Sequence, residues 1–488
     1  MKILLINSNR FKHPWPVIPF GLCSVAACLR GAGHEIKVLD LCFSKSPDRA
    51  IAAAVRNFEP QLMGISIRNI DNGTGFKPVF LLEETRREVI DPCKVHFSGP
   101  IVIGGPAVSI NAREVLEFLD LQYALRGDGE PGMLDIARKL ELGQRISGVP
   151  GLVVRDHGEI IEANPPARSQ DLDRLPTIRP HSFIDIRPYR EFDSPLQIQT
   201  KRGCALQCVY CTYNHVEGRQ YRLRSPDKVA HDIEVLVKET GVNHIEFTDS
   251  AFNIPLQHAK AVLRSLAAKK LDLRLRTMGL NPGFVDEELV DLMKAAGFMD
   301  VDLGAESGCD KTLKTLGKSH TREDVLRAGR LLRSRKIPTS WYLVLGAPGE
   351  TRQTIQETFD TINEAASPWD MVIVGLGLRV YKGTPLAGQV GEGGRAGSED
   401  NFLRPVSYTP ADLSLDEIAA LVEQAVMRYP NYYCYAANLD FSLWLKMSSE
   451  LRKLLPRQPI WRAYILARKL LKLCRLGFVV GVGGAKKS

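Results

Sequence analysis

The stretch from Thr200 to Cys211 reads TKRGCALQCVYC and holds three cysteines, Cys204, Cys208 and Cys211, separated by three residues and then by two. Soft thiolates at this density suit an iron–sulfur cluster or zinc. A structural zinc site is closed by four ligands, and the next forty residues offer only the isolated His215, His231 and His244, with no second pair at finger-like spacing. Zinc with His215 as the fourth ligand stays open on the residues alone, as does a triplet of merely packed thiols. A four-iron cluster on three cysteines differs from both, because one iron is left for an external ligand.

The elements that position the triplet come in two alternating series. KILLIN (2–7), IKVLDL (36–41), LMGISI (62–67), PIVIGG (100–105) and QYALRG (122–127) read as strands, with helical spacing over 20–33 and 48–58. Buried strands alternating with helices predict a doubly wound, Rossmann-like parallel sheet whose ligand lies beyond the carboxyl ends of the strands. Residues 146–195 are richer in proline and charge and read as a linker that can carry one hairpin, over 151–163. A second series begins with LQIQT (196–200) and continues with HIEFTD (244–249), LRLRTM (273–278), MDVDLG (299–304), TSWYLVLG (339–346) and DMVIVGLGLRVY (370–381). Six β/α units predict a partial barrel with its functional loops at the carboxyl ends, and the triplet sits in the loop leaving the first strand. After the break GEGGRAG (391–397) the remainder reads as helical. The predicted domains are thus 1–145, a linker over 146–195, a barrel over 196–390 and a helical region over 391–488.

Bulk properties narrow the function classes. A chain of 488 residues predicts two or three domains. Its formal net charge of +8 gathers toward the C-terminus and gives no reason to expect nucleic acid. The opening MKILLINSNR is a strand pattern without the features of a signal peptide, and no run of about 18 uncharged apolar residues predicts a spanning helix. The ten cysteines show no disulfide framework. A reducing, cytoplasmic setting follows, where clustered cysteines bind metal or catalyse. The segment 457–480 is apolar with interspersed Lys and Arg; it reads first as a helix packed on the barrel, second as a peripheral membrane contact. The aromatic stretch 429–444 reads as core.

C-x-x-x-C-x-x-C with an aromatic before the last cysteine, at the end of a barrel's first strand, resembles the radical S-adenosylmethionine (SAM) superfamily. The resemblance spans about residues 196–386. It implies a [4Fe-4S] cluster on Cys204, Cys208 and Cys211, SAM on the open iron, and reductive cleavage to a 5'-deoxyadenosyl radical. It also implies an external electron donor such as flavodoxin or ferredoxin. Carried over by motif, the SAM-binding positions are Tyr210 beside adenine and Thr248, Asp249 and Ser250 at the amine, although the common Gly-Gly-Glu is absent there. Glu306 and Ser307 of VDLGAESG fall near the ribose or amino-acid part, Gly346 of LVLGAPGET beside adenine, and Arg379 and Tyr381 of LRVYKGTPL at the last strand.

A Rossmann-like domain ahead of such a barrel is similar to the cobalamin-binding branch of that superfamily. The matching stretches are VIPFGLCSVAACLRGAGHEIKVLDL (17–41), PIVIGGPAVS (100–109) and ALRGDGEPGML (124–134). They imply corrin contacts from Pro19, Gly21, Ser66, Arg68, Asn69, Gly104, Gly105, Pro106, Gly127, Gly129 and Glu130. Gly104, Gly105, Gly127 and Gly129 are expected to let backbone approach the flat ligand or its tail, and Glu130 to cap the next helix or bind the tail. The Asp-x-His-x-x-Gly of cobalamin modules that ligate cobalt is missing after the first strand, where the chain reads NSNRFKHPWP (7–16) with only His13. Arg68 is the expected occupant of the lower face, since a protonated guanidinium is no ordinary metal ligand; a contact from Arg68 to a corrin amide or an internal Asp fits equally well.

The resemblance implies a cobalamin-dependent radical SAM enzyme, foremost a C-methyltransferase acting on an unactivated carbon of a small metabolite or lipid. The alternatives are a cyclase or rearrangement enzyme built from the same parts and, less well matched, a methylthiotransferase, for which Cys23, Cys28, Cys42 and Cys93 lack the spacing. A cobalamin carrier with a degenerate barrel is the non-enzymatic rival, which the intact triplet and Glu306 argue against.

Overall fold

The structure is a computed structural model that describes residues 1–12, 15–390, 402–434, 459 and 461–473. Its first sheet contains β1 (Lys2–Asn7), β2 (Glu35–Asp40), β3 (Leu62–Ser66), β4 (Ile101–Gly104), β5 (Tyr123–Leu125), β6 (Leu152–Asp156) and β7 (Glu159–Ala163). They lie in the order β2-β1-β3-β4-β5-β6-β7, the first five parallel and the last two antiparallel. In β1, Ile3 and Leu5 pack with the apolar residues of helices Phe20–Gly31 and Gly129–Glu141, while Leu4 and Ile6 pack on the other face with helices Pro47–Phe58 and Pro106–Leu119. A strand covered on both faces must be apolar throughout, which is why KILLIN shows no alternation. The strand order reverses between β1 and β3, and that switch point opens a crevice at their carboxyl ends. The hairpin β6–β7 falls within the expected linker but belongs to this sheet, because β6 takes the free edge of β5.

The second series forms a curved parallel sheet in two parts. The first is β8 (Leu196–Ile198), β11 (His244–Phe247) and β12 (Arg274–Thr277); the second is β13 (Val301–Glu306), β14 (Thr339–Leu345), β15 (Met371–Leu376) and β18 (Tyr432–Cys434). Single bridges, Leu275 to Phe298 and Leu280 to Leu303, join the two. Two short antiparallel ribbons accompany them: β9 (Lys201–Arg202) with β10 (Arg222–Leu223), and β16 (Leu378–Val380) with β17 (Val406–Tyr408). Strand β18 departs from the expected helical C-terminal region. It pairs in parallel with β15 and buries Tyr432, Tyr433 and Cys434, so the described part of the aromatic stretch is core; residues 435–444 lie outside the described residues.

The barrel's outer helices start where their caps dictate. Thr321 and Asp324 form a reciprocal capping box at helix Arg322–Ser334, and Ser414 and Glu417 form another at helix Leu415–Arg428. The described part of the basic C-terminal segment is helix Trp461–Leu473. Its Trp461, Tyr464 and Ile465 pack on Met371, Ile373 and Tyr433, and Arg468 donates to the backbone carbonyls of Tyr432 and Val426. That is the packed-helix reading, with Leu466 and Leu470 left exposed. No helix among the described residues is long and apolar enough to cross a membrane.

Two sets of contacts fix the first sheet against the barrel. Asp71, beyond β3, accepts from Arg379 Nε at 2.8 Å and from the Tyr381 hydroxyl at 3.3 Å. Beside it Gly75 lies so close to Gly377 that a Cβ on Gly75 would sit 2.2 Å from the Gly377 carbonyl carbon. The second set joins the loop after β5 to β9 and β10 and belongs to the site.

Candidate functional site

One cavity of about 770 Å³ opens between the carboxyl ends of the first sheet and the barrel. Its first wall carries Pro19 and Gly21 at the start of helix Phe20–Gly31, Ser66 at the end of β3, then Arg68 and Asn69. Gly104, Gly105 and Pro106 follow β4, and Gly127, Gly129 and Glu130 follow β5. Every position expected at a corrin therefore falls on this one wall. The opposite wall comes from inward-facing barrel residues, among them Thr248 and Tyr342, and from Thr212 and Tyr213, which directly follow Cys211.

The glycines divide into two kinds. Gly105 has φ +98°, and a Cβ there would lie 2.7 Å from the Ile67 carbonyl oxygen. Gly127 has φ +85°, and its Cβ would meet the Ala167 carbonyl oxygen at 2.4 Å; that of Gly129 would strike Val25 at 2.9 Å. These three are required by the protein's own backbone and packing, which corrects the expectation that they make room for a ligand. Gly104 and Gly21 are different: a Cβ on Gly104 would meet only the Leu125 carbonyl oxygen at 3.5 Å, and one on Gly21 nothing within 4 Å. On these the flat, side-chain-free floor needed by a planar ligand is available. A cavity at the switch point with such a floor fits a corrin.

Glu130 neither caps a helix nor stays free for a ligand's tail. It is buried and takes Arg202 in a two-pronged pair at 2.7 and 3.1 Å, with Ser24 donating to the same carboxylate. Asp128 accepts from Arg222 at 2.5 Å and lies 3.2 Å from Arg202. Burial alone would push both carboxyls up, but the two guanidiniums outweigh it and hold them below the usual carboxylate range. Arg202 stands two residues before Cys204, so this four-charge clasp ties the loop after β5 to the start of the cysteine loop.

The cysteine loop is held by backbone bonds at several points. Gly203, at φ +94°, donates to Glu217 Oε2 at 3.0 Å, Cys204 to the Gly218 carbonyl at 3.0 Å and Val209 to the Leu316 carbonyl at 3.1 Å. Cys204 is buried and Cys208 and Cys211 are half-buried. Burial pushes the thiols of Cys208 and Cys211 up, the latter to about 11; such thiols are ionised by bound metal rather than by the surrounding protein. No three His, Cys, Asp or Glu side chains among the described residues converge on one ion. A four-iron cluster does not require it, since each cysteine takes a different iron. The zinc alternative does require it, and His215 turns its ring onto Gly383 instead, where a Cβ would stand 3.0 Å from the ring.

The positions expected at SAM separate into those that face the loop and those spent on the scaffold. Ser250 donates to the Gly203 carbonyl at 3.2 Å, and the Tyr210 hydroxyl accepts from Lys318, which also pairs with Glu306 at 3.1 Å. Glu306 has φ +59°, a left-handed conformation that a non-glycine residue holds only where its surroundings over-determine it. Thr248 and Tyr381 line the cavity, and Gly346 adopts φ +101° against Gly377. Three residues are committed elsewhere. Asp249 accepts from the backbone and hydroxyl of Thr200 and from the Lys201 amide, so it anchors the strand that launches the cysteine loop. Ser307 bonds Thr358 and the Cys309 amide. Arg379 pairs with Asp71 and donates to the carbonyls of Val380, Phe402 and Leu403. The polar side-chain atoms of these three are thus engaged within the protein.

Arg68 lines the corrin wall with no carboxylate in salt-bridge reach among the described residues. Burial pulls its guanidinium down from its ordinary value, and Tyr213 and Glu246 are the strongest opposing neighbours. The expectation of an internal Asp partner is not met. Sequence reasoning also passed over Arg222, Lys318, and the pair Asp128 and Arg202, whose runs, RGDGE and TKRGC, are complementary in charge.

Comparison with known proteins agrees with this division. The family model for the radical SAM superfamily matches residues 198–362, and that for the B12-binding domain matches residues 12–137. A tryptophan 2-C-methyltransferase from Streptomyces laurentii is 27% identical over 449 residues, covering 78% of this chain and 73% of its own. An anaerobic magnesium-protoporphyrin IX monomethyl ester cyclase from Cereibacter sphaeroides is 25% identical over 381 residues, 74% of this chain and 59% of its own. Among solved structures, the radical SAM methyltransferase TsrM from Kitasatospora setae, with cobalamin and a [4Fe-4S] cluster bound, superposes with a TM-score of 0.85 at 24% identity, over 97% of this chain and 99% of that one. With both models matched and the cysteine triplet inside the second match, the chain carries a radical SAM domain preceded by a B12-binding domain.

Proposed function

We propose that the protein is a cobalamin-dependent radical SAM C-methyltransferase that methylates an unactivated carbon of a small-molecule substrate. The observation that carries the reading is the single cavity walled on one side by the B12-binding domain and on the other by the barrel, with Thr212 and Tyr213 linking it to Cys211. Cys204, Cys208 and Cys211 would hold the cluster; Tyr210, Thr248, Ser250, Glu306 and Gly346 would surround SAM. Gly104, Gly21, Ser66, Asn69 and Pro106 would seat the corrin. When bound, the cluster with SAM supplies a carbon-radical generator and the corrin a transferable methyl group. The chain's part is positional: the Asp128–Glu130–Arg202–Arg222 clasp holds the corrin wall in a set relation to the cysteine loop, and Lys318 fixes Tyr210 against Glu306. Arg68, on the same wall, would meet the bound corrin where cobalt-ligating modules bring a histidine.

Each turnover would need two electrons from outside, one to cleave SAM and one to return the corrin to its methyl-accepting state, for which a flavodoxin or ferredoxin in the cytoplasm is the expected class of donor. Leu466 and Leu470 are the residues through which helix Trp461–Leu473 would touch a membrane surface. The similarity to a ring-forming cyclase favours one second reading, radical cyclisation or rearrangement with the same cofactors. Anaerobic reconstitution with iron, sulfide and cobalamin, followed by turnover with methyl-labelled SAM, separates the two. Carbon-bound label in the product is the expected result; 5'-deoxyadenosine with unlabelled, cyclised product would overturn methyl transfer. Replacing Arg68 by Lys or Ala should change the coordination signature in the cobalamin spectrum, and an unchanged spectrum would remove Arg68 from the lower face.

A further inference from the structure

The barrel interior contains a polar layer where a closed eight-stranded barrel packs bulky apolar side chains. Gln197 of β8 is the register partner of Glu246 of β11, which is the partner of Arg276 of β12. Farther round, Asp302 of β13 is the partner of Ser340 of β14. Register partners in parallel strands point to the same face, and Gln197, Glu246, Arg276 and Asp302 all line the cavity while being at most 6% exposed.

The layer is unbalanced in charge. Arg276 donates to Glu246 at 2.5 Å, Asp300 at 3.3 Å and Asp302 at 3.2 Å, so three carboxylates share its guanidinium, with Arg462 also acting on Asp300. Trp15 stacks on that guanidinium at 4.6 Å and adds no charge. His244, on the same strand as Glu246, turns outward to Asp193, and Arg68 stands across the cavity outside salt-bridge reach. The surplus is felt by the acids: burial, against the pull of Arg276, raises Glu246 and lifts Asp302 to about 7. The second observation is independent of charge. Both Nε2 and Oε1 of Gln197 are buried and have no hydrogen-bond partner among the described residues. A buried amide without partners destabilises the fold, and a buried surplus charge does so more strongly. The acidic groups do not converge as a metal site, which leaves an organic occupant.

We propose that this layer is the substrate subsite and that it takes a positively charged, hydrogen-bond-donating nitrogen group, such as an ammonium or guanidinium, with Glu246, Asp302 and the Gln197 oxygen as its acceptors. The inference rests on the reading that a small-molecule substrate enters this cavity, and adds the chemical class of the part that enters first. A cation there brings the layer to near neutrality and occupies the acceptor that Gln197 leaves open.

The test uses the full chain reconstituted with cluster and cobalamin, at pH 8 and without SAM, with benzylammonium and the neutral benzyl alcohol as probes in titration calorimetry. A charge-assisted hydrogen bond is worth about 1.5–3 kcal/mol, so the ammonium should bind at least about tenfold more tightly than the alcohol. Gln197→Leu and Glu246→Gln should each abolish that preference. Gln197→Leu removes unpartnered polar atoms from a buried position, so it should fold with an equal or higher melting midpoint and keeps the test decisive if Glu246→Gln fails to fold. Equal binding of the two probes, including no binding of either, or a preference that survives Gln197→Leu, would overturn the proposal. Because no SAM is turned over, this outcome is independent of whether methyl transfer is found.

Discussion

The clasp between the two domains makes a quantitative prediction, because its charges balance. Asp128 and Glu130 face Arg202 and Arg222 with side-chain exposures of 4%, 4%, 10% and 7% in that order, while Arg168, 4.0 Å from Asp128, and Glu217, which acts on Arg202, add one charge of each sign. Glu130→Gln leaves a surplus positive charge, and breaking a buried pair from one side costs about 3–5 kcal/mol. Asp128 remains 3.2 Å from Arg202, which places the loss at the lower end, about 3 kcal/mol. Arg202→Met leaves the opposite surplus at a similar cost. The double variant keeps Asp128 with Arg222 and the outlying Arg168 and Glu217, so it is balanced again and should be less destabilised than the two singles added, by about 2 kcal/mol or more. Urea unfolding of the full chain at pH 8 measures this, with differences taken within one transition because a two-domain chain need not unfold in a single step. Additivity within about 0.5 kcal/mol would refute the reasoning. The clasp also sets an acid limb. Both carboxyls sit below their ordinary range, so their contribution is in place above the unfolded carboxylate pKa of about 4 and is lost as pH falls through the folded values; Glu130→Gln should flatten that limb. Since Arg202 lies two residues from Cys204, both single variants should retain less iron after reconstitution and desalting.

Asp71→Asn should cost about 3–5 kcal/mol in the same assay, because it strands the buried Arg379 guanidinium. Gly105→Ala should destabilise by about 1–3 kcal/mol, since it combines φ +98° with a Cβ 2.7 Å from the Ile67 carbonyl oxygen; by contrast Gly104→Ala should fold normally and weaken cobalamin retention on gel filtration. Glu350 is buried beside Gly346, takes two backbone amides on Oε2, leaves Oε1 without a partner among the described residues, and has its carboxyl pushed up by burial to about 7. A raised folded value means stability that is complete below about pH 4.5 and declines as pH rises to about 7. Glu350→Gln should remove that decline, seen as a melting midpoint less sensitive to pH across this window.

Much of the fold was written in hydrophobic periodicity. All five parallel strands of the first sheet and the six of the barrel fall on the runs that the sequence marks as β-rich, because strands buried on both faces cannot hide their composition. What escaped was pairing. The hairpin β6–β7 looked like linker since nothing local says that β5 has a free edge, and β18 is three residues inside an aromatic stretch that equally suits a helix. The site shows the same boundary. The cysteine triplet is local in sequence and was legible as a cluster site. Asp249, Ser307 and Arg379 stand in motif positions, yet their oxygens and nitrogens are taken by Thr200, Thr358 and Asp71, partners that are up to 308 residues away. The polar layer did leave a trace: LQIQT, HIEFTD, LRLRTM and MDVDLG each carry a polar residue on what must be the inward face, a violation of the apolar rule four strands running.

The two buried charge clusters are the physical key to the division of labour. At the domain interface Asp128, Glu130 and Glu217 stand against Arg168, Arg202 and Arg222, and the terminal prongs of Arg202 and Arg222 each have a carboxylate or carbonyl to receive them. Such a cluster is complete in itself and can only hold surfaces together. In the barrel three acids share Arg276, with Arg462 acting on Asp300 alongside it, and the neighbouring amide of Gln197 receives nothing from the described residues. A protein that needed only stability would have filled this layer with Leu and Val, since replacing buried charges by well-packed apolar residues is commonly neutral or favourable. The deficit is therefore informative in the direction opposite to the clasp. Balanced buried charge marks what the fold must keep fixed, and unbalanced buried charge, open to a cavity, marks where a further charge is meant to arrive.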